Sequence, residues 1–327
     1  MTTHASSTSV VGVTGATGHV GGAVAGLLRH AHVHQRLIVR DASRAPLWAR
    51  LDQEIAERAH PSDPADDAVP VTATTVGAQT AEPSGTPTVA VAVAEYGDLA
   101  AARAALEGVR VLLMVSAAES EDRLEQHRTL IDAARLAGVE HVVYTSFLGA
   151  APDATFTLAR DHWATEEHLR RSGMTWTILR DSFYLDFLPD LAVDGVIAGP
   201  AGEGRVAAVA RADVARAASA VLLGVVTGST RHDGAVYELT GPAAITLAEA
   251  ARTISEVTGA PTAYREETVA EAYASRAASG APQWQLDAWV STYTAIASGE
   301  LAAVTDDVRR LTSRAPLSLE QLLRGES

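Results

Sequence analysis

The chain has 327 residues, of which 47% are hydrophobic and 20% are charged, so it is long enough to bury a substantial core. Its formal net charge of -14 at pH 7 argues against a nucleic-acid-binding surface, which requires concentrated basic charge. Cysteine is absent, and this excludes disulfides, thiolate nucleophiles and cysteine metal sites.

The first predicted strand, residues 10–13, runs into a turn that is rich in glycine. Glycines stand at positions 15, 18 and 21, and a helix rich in alanine and leucine is predicted over residues 19–29. Gly15 allows a tight turn, Gly18 lets a pyrophosphate approach the backbone, and Gly21 lets helix and strand pack closely. Free amides at the helix N-terminus then face the phosphates. This pattern predicts a dinucleotide-binding site.

The second predicted strand, residues 36–40, ends in an arginine where an NAD-specific site would place an acidic residue on the ribose hydroxyls. The guanidinium of Arg40 suits a 2'-phosphate, because it offers fixed donors and stacks on the adenine. We therefore predict NADP(H) as the cofactor. Asp41 follows immediately, so NAD stays open at this point, and the alternative role of Arg40 is a solvated strand end.

Strand-like runs and helical patterns alternate along the rest of the chain. Strands are predicted at residues 88–94, 109–115, 141–145, 175–179 and 236–239, and helices at 46–59, 99–106, 123–137 and 160–171, with Gly138 as the end of the third. This alternation predicts an α/β fold with a Rossmann-like, doubly wound parallel sheet. Right-handed crossovers put helices on both faces, and the ligand belongs at the carboxyl ends of the strands.

Two segments depart from this alternation. Residues 61–87 are rich in Pro, Ala, Thr, Asp and Ser without sustained periodicity, which predicts a flexible insertion. After residue 180 come an aromatic segment, a glycine-rich stretch at 195–204 and alanine-rich helices. We predict a dinucleotide-binding domain over 1–180 and a smaller, interleaved substrate-binding part over 181–327, which overhangs the nicotinamide end of the crevice.

Several segments together resemble the NmrA-like group of atypical short-chain dehydrogenases, in particular its bacterial branch of NADPH quinone oxidoreductase and triphenylmethane reductase. The similar segments cover nearly the whole chain except the predicted insertion. They are 13–21 (VTGATGHVG), 39–41 (VRD), 95–99 (EYGDL), 143–146 (VYTS), 161–167 (DHWATEE), 178–184 (ILRDSFY), 208–215 (AVARADVA) and 299–306 (GELAAVTD).

The resemblance implies positions for a bound dinucleotide. It places Thr17, Gly18, His19 and Val20 at the pyrophosphate and Arg40 at the 2'-phosphate. It places Asp98 and Leu99 near the adenine, and it lines the ribose and nicotinamide with Ser116, Ala117, Thr145, Ser146 and Phe147. Asp98 also suits the N-cap of the helix predicted at 99–106, and the two roles are compatible.

The chain departs from the serine, tyrosine and lysine apparatus of the larger dehydrogenase superfamily. It contains no lysine at all, so no lysine can polarise a hydroxyl or act as a base. By the resemblance, His162 and Glu166 occupy the lysine-glutamate pair of the helix, Leu158 stands at the tyrosine position, and Phe147 at the serine position. A histidine at this position is typical of the quinone-reducing branch.

A quinone or cationic dye accepts a hydride with little assistance, because the charge spreads over an aromatic system. Proximity in a dry, flat pocket then supplies most of the catalysis. Phe147, Phe183, Tyr184 and Phe187 are predicted to form this pocket, and the alternative for each is ordinary core packing.

A proton donor is also predicted. His162 is the candidate and Tyr144 a weaker one, since histidine titrates near neutrality. The alternative is a structural histidine. Glu166, one helical turn along from His162, would either orient it or form a surface ion pair.

We therefore predict an NADPH-dependent oxidoreductase that acts on a quinone or related aromatic acceptor. Two alternatives stay open: a non-catalytic NADP(H)-binding regulator that senses redox state, and a reductase of a specialised biosynthetic carbonyl compound. Its partners would be the small substrate and, as one option, a second copy of the chain, with no nucleic acid and no membrane. No metal is expected, because His30, His32 and His34 alternate along an extended segment and do not converge on an ion.

A cytoplasmic location is also expected. Residues 1–7 lack the basic region and long apolar segment of a secretory signal, and no later apolar run is long enough for a membrane span.

Overall fold

A computed structural model describes residues 10–59 and 88–326, and the predicted insertion at 61–87 lies outside these residues. The strands are β1 (Val10–Thr14), β2 (Gln35–Val39), β3 (Val89–Val93), β4 (Val109–Met114), β5 (His141–Phe147), β6 (Thr175–Asp181), β7 (Ala192–Val193), β8 (Val196–Gly199), β9 (Arg205–Val206), β10 (Ala235–Leu239), β11 (Ile245–Thr246) and β12 (Ala263–Glu266).

The α-helices of the same residues are α1 (His19–His30), α2 (Leu47–Ala59), α3 (Leu99–Leu106), α4 (Arg123–Ala137), α5 (Thr157–Arg171), α6 (Arg211–Val226), α7 (Leu247–Thr258), α8 (Val269–Ala277), α9 (Gln283–Ser298), α10 (Asp307–Thr312) and α11 (Leu319–Leu323). Short 3-10 turns cover Ala42–Arg44, Leu185–Phe187 and Pro189–Leu191.

The central sheet has seven parallel strands in the order β10-β6-β5-β4-β1-β2-β3. The strand order reverses between β1 and β4, and the crevice at such a switch point is where open α/β sheets bind their ligands. Helices α1 and α6 cover one face of the sheet, and α3, α4 and α5 cover the other. This arrangement confirms the predicted doubly wound α/β fold.

Burial on both faces explains the apolar character of the central strands. Along the chain, neighbouring strand residues point to opposite faces, so Leu113 packs in the core beneath α1 and α6 while Leu112 and Met114 pack against α3 and α4. A parallel sheet covered by helices on both sides therefore has nearly continuous hydrophobic strands.

The chain after β6 builds two small sheets and also returns to the central one. Strands β12, β8 and β7 form one small sheet, and β11 and β9 form the other. They pack with α7 and α9 around a core that contains Ile197, Leu247 and Ile296. Strand β10 pairs with β6, and α6 packs on α1. The domain boundary at residue 180 stays a prediction.

The ends of several elements differ from the expectations. Gly138 does end α4, in the left-handed conformation with φ +83°. Helix α5 begins at Thr157 and not at residue 160. The strands of the two small sheets were not predicted. They have only two to four residues each, and, apart from the β7–β8 hairpin, they pair with strands distant in sequence.

Candidate functional site

A cavity of about 1550 Å³ opens at the carboxyl ends of the central strands. The segments that follow β1 through β6 form one side of its wall. Residues of β8, β12, α8 and α9 form the other side. The cavity therefore lies where the fold places a ligand, between the central sheet and the part of the chain that follows it.

The glycine turn after β1 forms one end of the cavity. Gly15 adopts φ +63°, and the Gly18 amide donates to the Gly15 carbonyl at 2.8 Å. A Cβ on Gly21 would lie 2.4 Å from the Gly15 oxygen, so no larger residue fits there. Thr17, Gly18, His19 and Val20 line the cavity, and no side chain caps the N-terminus of α1. The first-turn amides of α1 therefore have no side-chain partner, and the contact of these residues with a pyrophosphate stays a prediction.

Arg40 and Asp41, at the end of β2, have different surroundings. Arg40 lines the cavity and makes no hydrogen bond or salt bridge with the described residues. Asp41 accepts hydrogen bonds from the Ser43 hydroxyl at 2.7 Å and the Ser43 amide at 2.9 Å, which hold the pKa of its carboxyl below the usual value. The carboxylate is engaged in its own turn, whereas the guanidinium is available to a phosphate.

The predicted adenine residues lie beside the cavity and do not line it. Asp98 caps α3, accepting the Ala101 amide at 2.9 Å, and Leu99 is largely exposed. Their neighbours Glu95, Tyr96 and Gly97 do line the cavity, and the Tyr96 hydroxyl donates to the Val115 carbonyl at 2.6 Å. The contact of Asp98 and Leu99 with adenine stays a prediction.

The segments after β4 and β5 line the middle of the cavity. Ser116, Ala117, Ser146 and Phe147 belong to the wall, whereas Thr145 lies behind it. The Thr145 hydroxyl accepts the Ser116 amide at 2.9 Å, and the Ser146 hydroxyl donates to the buried Glu166 at 2.6 Å. Both hydroxyls fix the wall internally. Contact of these residues with ribose and nicotinamide stays a prediction.

Glu166 forms an ion pair in the core and not on the surface. Its carboxylate is fully buried and accepts two hydrogen bonds from Arg180, at 2.9 and 2.7 Å, and one from Arg170 at 3.1 Å. These contacts join α5 to β6. Among its contacts in the described structure, none joins Glu166 to the His162 ring.

One part of the cavity wall, which we call the aromatic end, is formed by phenylalanine rings. All four phenylalanines of the chain line it, at positions 147, 156, 183 and 187. The rings of Phe147 and Phe156 lie 4.8 Å apart, and those of Phe183 and Phe187 lie 6.1 Å apart. Phe187 is 40% exposed, so it is not an ordinary core residue. The chain places its phenylalanines around this one cavity and packs the sheet with aliphatic residues.

Asp181, which is buried, and Tyr184, which is partly buried, form a hydrogen-bonded pair in the wall beside these rings. The Tyr184 hydroxyl donates to Asp181 Oδ2 at 2.9 Å, and burial raises the pKa of the Asp181 carboxyl to about 8. Tyr184, one of the predicted pocket residues, lines the cavity and packs 5.8 Å from the Phe187 ring. The Arg211 guanidinium lies 4.0 Å from the centre of the Phe187 ring, which makes one side of the aromatic end cationic.

His162 reaches the cavity from α5, as a neutral ring. The Arg123 guanidinium, which only donates hydrogen bonds, contacts Nε2 at 2.8 Å, and Nδ1 therefore carries the proton and donates to the Tyr144 oxygen at 2.8 Å. Burial, and next the Arg123 charge, hold the pKa of His162 well below its usual value. Both ring nitrogens are engaged by other side chains. A proton-donating role for His162 stays a prediction.

Tyr144 lies behind His162 and does not line the cavity. Its side chain is completely buried, and burial raises the pKa of its hydroxyl far above the usual value. Tyr144 keeps its proton at all ordinary pH values and has no direct access to a substrate in this arrangement. Its proposed role as a weaker donor also stays a prediction.

Sequence reasoning missed Arg123, the first residue of α4. The residue is 4% exposed and lines the cavity, and its Nε donates to the Ala117 carbonyl at 3.0 Å. The signal was an arginine in the first turn of a helix, where the macrodipole disfavours a cation. A residue that breaks a local rule in this way points to a functional role.

Comparisons with known proteins agree with this geometry. The sequence model of a family described as NAD(P)H-binding matches residues 54–223. Quinone oxidoreductase 2 of Escherichia coli strain K12 is 38% identical over 198 residues, which are 59% of this chain and 67% of that protein. This chain belongs to the NAD(P)H-binding family.

Two crystal structures of other proteins are similar to this chain over nearly its full length. One is an NADPH-dependent quinone oxidoreductase of Escherichia coli complexed with NADPH, with a TM-score of 0.75 and 29% identity over 96% of this chain and 99% of that one. The other is the Citrobacter sp. triphenylmethane reductase complexed with NADP(H), with a TM-score of 0.74 and 26% identity over 97% and 100%. The resemblance read from the sequence is confirmed, and NAD(P)H is the cofactor of the family.

In residues 10–59 and 88–326, no group of three or more histidine, aspartate or glutamate residues is placed to hold a metal ion. The side chain of His34 contacts the Thr88 hydroxyl at 2.9 Å, and His32 occupies a turn with φ +57°. Over the same ranges, no helix combines the length and apolar character that crossing a bilayer requires.

Proposed function

We propose that this member of the NAD(P)H-binding family is an NADPH-dependent oxidoreductase that reduces a quinone or a related aromatic acceptor. The observation that carries the proposal is the aromatic end of the cavity, which all four phenylalanines of the chain line in two pairs of rings. The relatives named as quinone oxidoreductase and triphenylmethane reductase support the same acceptor class. A flat aromatic acceptor stacks on such rings.

The chain's own groups would hold the dinucleotide along the cavity. The first-turn amides of α1, including those of His19 and Val20, would bind the pyrophosphate, and Gly18 would let it approach. Arg40 would bind the 2'-phosphate, which favours NADPH over NADH. When bound, NADPH supplies the hydride.

The acceptor would lie between Phe147 and Phe156 on one side and Phe183 and Phe187 on the other. These rings exclude water and hold the acceptor in one plane, so catalysis comes mainly from proximity and orientation. The protein needs no tyrosine-lysine pair for such an acceptor, and it contains no lysine. His162 and Tyr144 are proposed as a hydrogen-bonded support of the wall, with proton donation as the role to be tested.

The test is NADPH oxidation by purified protein, followed by absorbance, with a small panel of quinones and with NADH in parallel. Quinone-dependent oxidation that prefers NADPH is the expected result. NADPH binding without oxidation by any quinone would contradict the proposal. It would favour a redox-sensing regulator or a reductase of a specialised carbonyl compound.

A further inference from the structure

Arg211, the first residue of α6, puts a positive charge in the wall of the cavity. The residue lines the cavity and is partly exposed. Within the described part of the chain, its guanidinium contacts two aromatic rings and makes neither a hydrogen bond nor a salt bridge. A guanidinium stays charged at every ordinary pH and carries five N–H donors, so this group is free to pair with an anion in the cavity.

Two contacts fix Arg211 against the 3-10 turn at Leu185–Phe187. Its backbone amide donates to Asp186 Oδ2 at 2.9 Å. Its guanidinium carbon lies 4.0 Å from the centre of the Phe187 ring and 5.4 Å from that of Tyr184. An arginine that lies over an aromatic face is oriented by that face, and its planar fork of donors can still bind a carboxylate. The charge is therefore held at the aromatic end of the cavity.

The start of α6 is an unfavourable place for a cation, because the helix dipole puts partial positive charge there. Ala210, at the N-cap, has no side chain to cap the helix, and Asp186 supplies a carboxylate from the neighbouring turn. Asp213, in the first turn of α6, is buried and pairs with Arg216. Both carboxylates near the helix start thus have other partners. An arginine at this position points to a role outside the helix.

Three further carboxyl groups line the cavity on the segment that contains the Phe187 turn. Asp181 accepts the Tyr184 hydroxyl, and burial raises the pKa of its carboxyl to about 8, so it stays mostly protonated at neutral pH. Asp190 and Asp194 are exposed, and neither forms a salt bridge with a described residue. Exposed carboxylates that make no direct contact are screened by water. An anion in contact with Arg211 would therefore meet a cation without a direct partner.

We propose that Arg211 binds an anionic substituent, a carboxylate or a sulfonate, on the aromatic acceptor and thereby raises the selectivity of the enzyme for anionic acceptors over neutral ones. The inference rests on the proposed function. An acceptor ring that stacks beside Phe183 and Phe187 brings its edge to the guanidinium that lies over Phe187. A charged hydrogen bond there fixes the orientation of the ring. No bond is made or broken at Arg211.

The experiment compares two acceptors of the same ring system that differ by one charge, anthraquinone-2-sulfonate and anthraquinone-2-sulfonamide. NADPH oxidation with each is followed without oxygen. Arg211→Gln should lower kcat/KM for the sulfonate by about 10-fold, the lower end of the range for hydrogen bonds to charged groups, because the site is partly exposed. The value for the sulfonamide should change by less than about twofold. An equal loss with both acceptors, or no loss with the sulfonate, would overturn the proposal.

Arg252→Gln is the matched control, because it also removes one positive charge from the protein. Arg252 lies on α7 with an exposed side chain, 4.0 Å from Glu256, and it does not line the cavity. This variant should leave both rates unchanged. The affinity of Arg211→Gln for NADPH, measured by fluorescence titration, should stay within about twofold of the wild type. A tenfold weaker NADPH complex would assign the guanidinium to a cofactor phosphate and overturn the proposal.

Two further variants separate charge from packing at this position. Arg211→Met, which keeps a long side chain on the Phe187 ring, serves if the glutamine variant does not fold, and it should show the same selective loss. Arg211→Lys keeps the charge without the planar fork, so its sulfonate rate should lie between those of the wild type and the neutral variant. A sulfonate rate as low as that of the neutral variant would overturn the role of the charge.

A binding measurement gives a readout independent of turnover. Naphthalene-2-sulfonate and naphthalene-2-sulfonamide, which cannot be reduced by NADPH, are titrated by calorimetry in the presence of NADP⁺. Arg211→Gln should weaken binding of the sulfonate by about 10-fold and leave that of the sulfonamide unchanged. Equal changes for both ligands, or no binding of either to the wild type, would overturn the role of Arg211. Selective sulfonate binding by a wild type that reduces neither anthraquinone would instead refute the proposed function.

Discussion

The two ends of the cavity are built in different ways. The dinucleotide end consists largely of backbone: a turn through Gly15, Gly18 and Gly21, the free amides of α1, and one arginine at the end of β2. The proposed acceptor end would consist of side chains from distant parts of the chain, among them Phe147, Phe183 and residues of α9, which all line the cavity. Backbone geometry tolerates little change, whereas a set of side chains can be altered one at a time.

This difference separates what the fold requires from what selects the substrate. The glycine turn must keep its shape for any dinucleotide to bind, since its phosphate donors are peptide groups. Under the proposed function, the rings at the other end would determine which acceptor stacks there. Substitutions at the two ends should therefore differ in kind as well as in size.

The largest effect is expected for Gly21→Ala. The added methyl group would lie 2.4 Å from the Gly15 oxygen, so the turn must move, at a cost in the upper part of the usual 1 to 3 kcal/mol range for overpacking. NADPH binding, measured by fluorescence titration, should weaken by about 100-fold. Gly26→Ala on the same helix is the control, because its Cβ would meet nothing within 4 Å. Equal affinities would contradict the backbone description of this end.

The next effect is selective between cofactors. Arg40→Ala removes a charged donor to the 2'-phosphate, so the dissociation constant of NADPH should rise about 10- to 100-fold while that of NADH changes by less than about twofold. NADH is the internal control, because it lacks the phosphate. Equal weakening of both cofactors would show that Arg40 acts on the fold and not on the phosphate.

A smaller effect is expected at the acceptor end. Phe187→Ala should raise KM for a quinone up to about tenfold, the range of one aromatic pair, and leave NADPH affinity unchanged. Because Phe187 is 40% exposed, the melting temperature should hardly move. Leu136→Ala, an exposed residue of α4, is a control for loss of apolar surface. An unchanged KM would remove Phe187 from the acceptor pocket.

The smallest effect concerns stability at the buried Asp181–Tyr184 pair. Burial raises the pKa of Asp181 from an unfolded value near 4 to about 8, so the folded state binds more protons between these limits. Wild-type stability should therefore fall as the pH rises from 5 to 8. Asp181→Asn should remove at least about 1 kcal/mol of that fall, measured by denaturant unfolding at both pH values.

Asp190→Asn is the control for the Asp181 substitution, because Asp190 lines the same cavity but is exposed. Its unfolding free energy should follow that of the wild type at both pH values. The same pH dependence in Asp181→Asn and in the wild type would mean that the Asp181 carboxyl is ionised in the folded protein at neutral pH.

The contrast between a local backbone turn and side chains from distant parts of the chain also explains how much could be predicted from the sequence. The glycine turn, Arg40 and the Gly138 helix end depend on a few neighbouring residues, and the structure has them where local patterns put them. Arg123 and Phe156 reach the cavity only through the packing of α4 and α5 on the sheet. No local pattern reports such convergence.

His162 shows, at a single residue, how far prediction from the sequence extends. Its place on the helix after β5 and at the cavity follows from the sequence, but its protonation state does not. The ring is neutral because it is buried and because the Arg123 guanidinium, 39 positions earlier, lies against Nε2. Long-range hydrogen bonds of this kind determine the chemistry of a side chain, and they become visible only in three dimensions.

The most direct test of the central claim is a single turnover of enzyme saturated with NADPH, mixed rapidly with a quinone and followed by the near-ultraviolet absorbance of the reduced cofactor. Direct hydride transfer predicts a quinone-dependent loss of that absorbance, slower when NADPH is deuterated at both C4 positions. No loss from a complex shown to be saturated would contradict the claim that the two ends of the cavity hold donor and acceptor together.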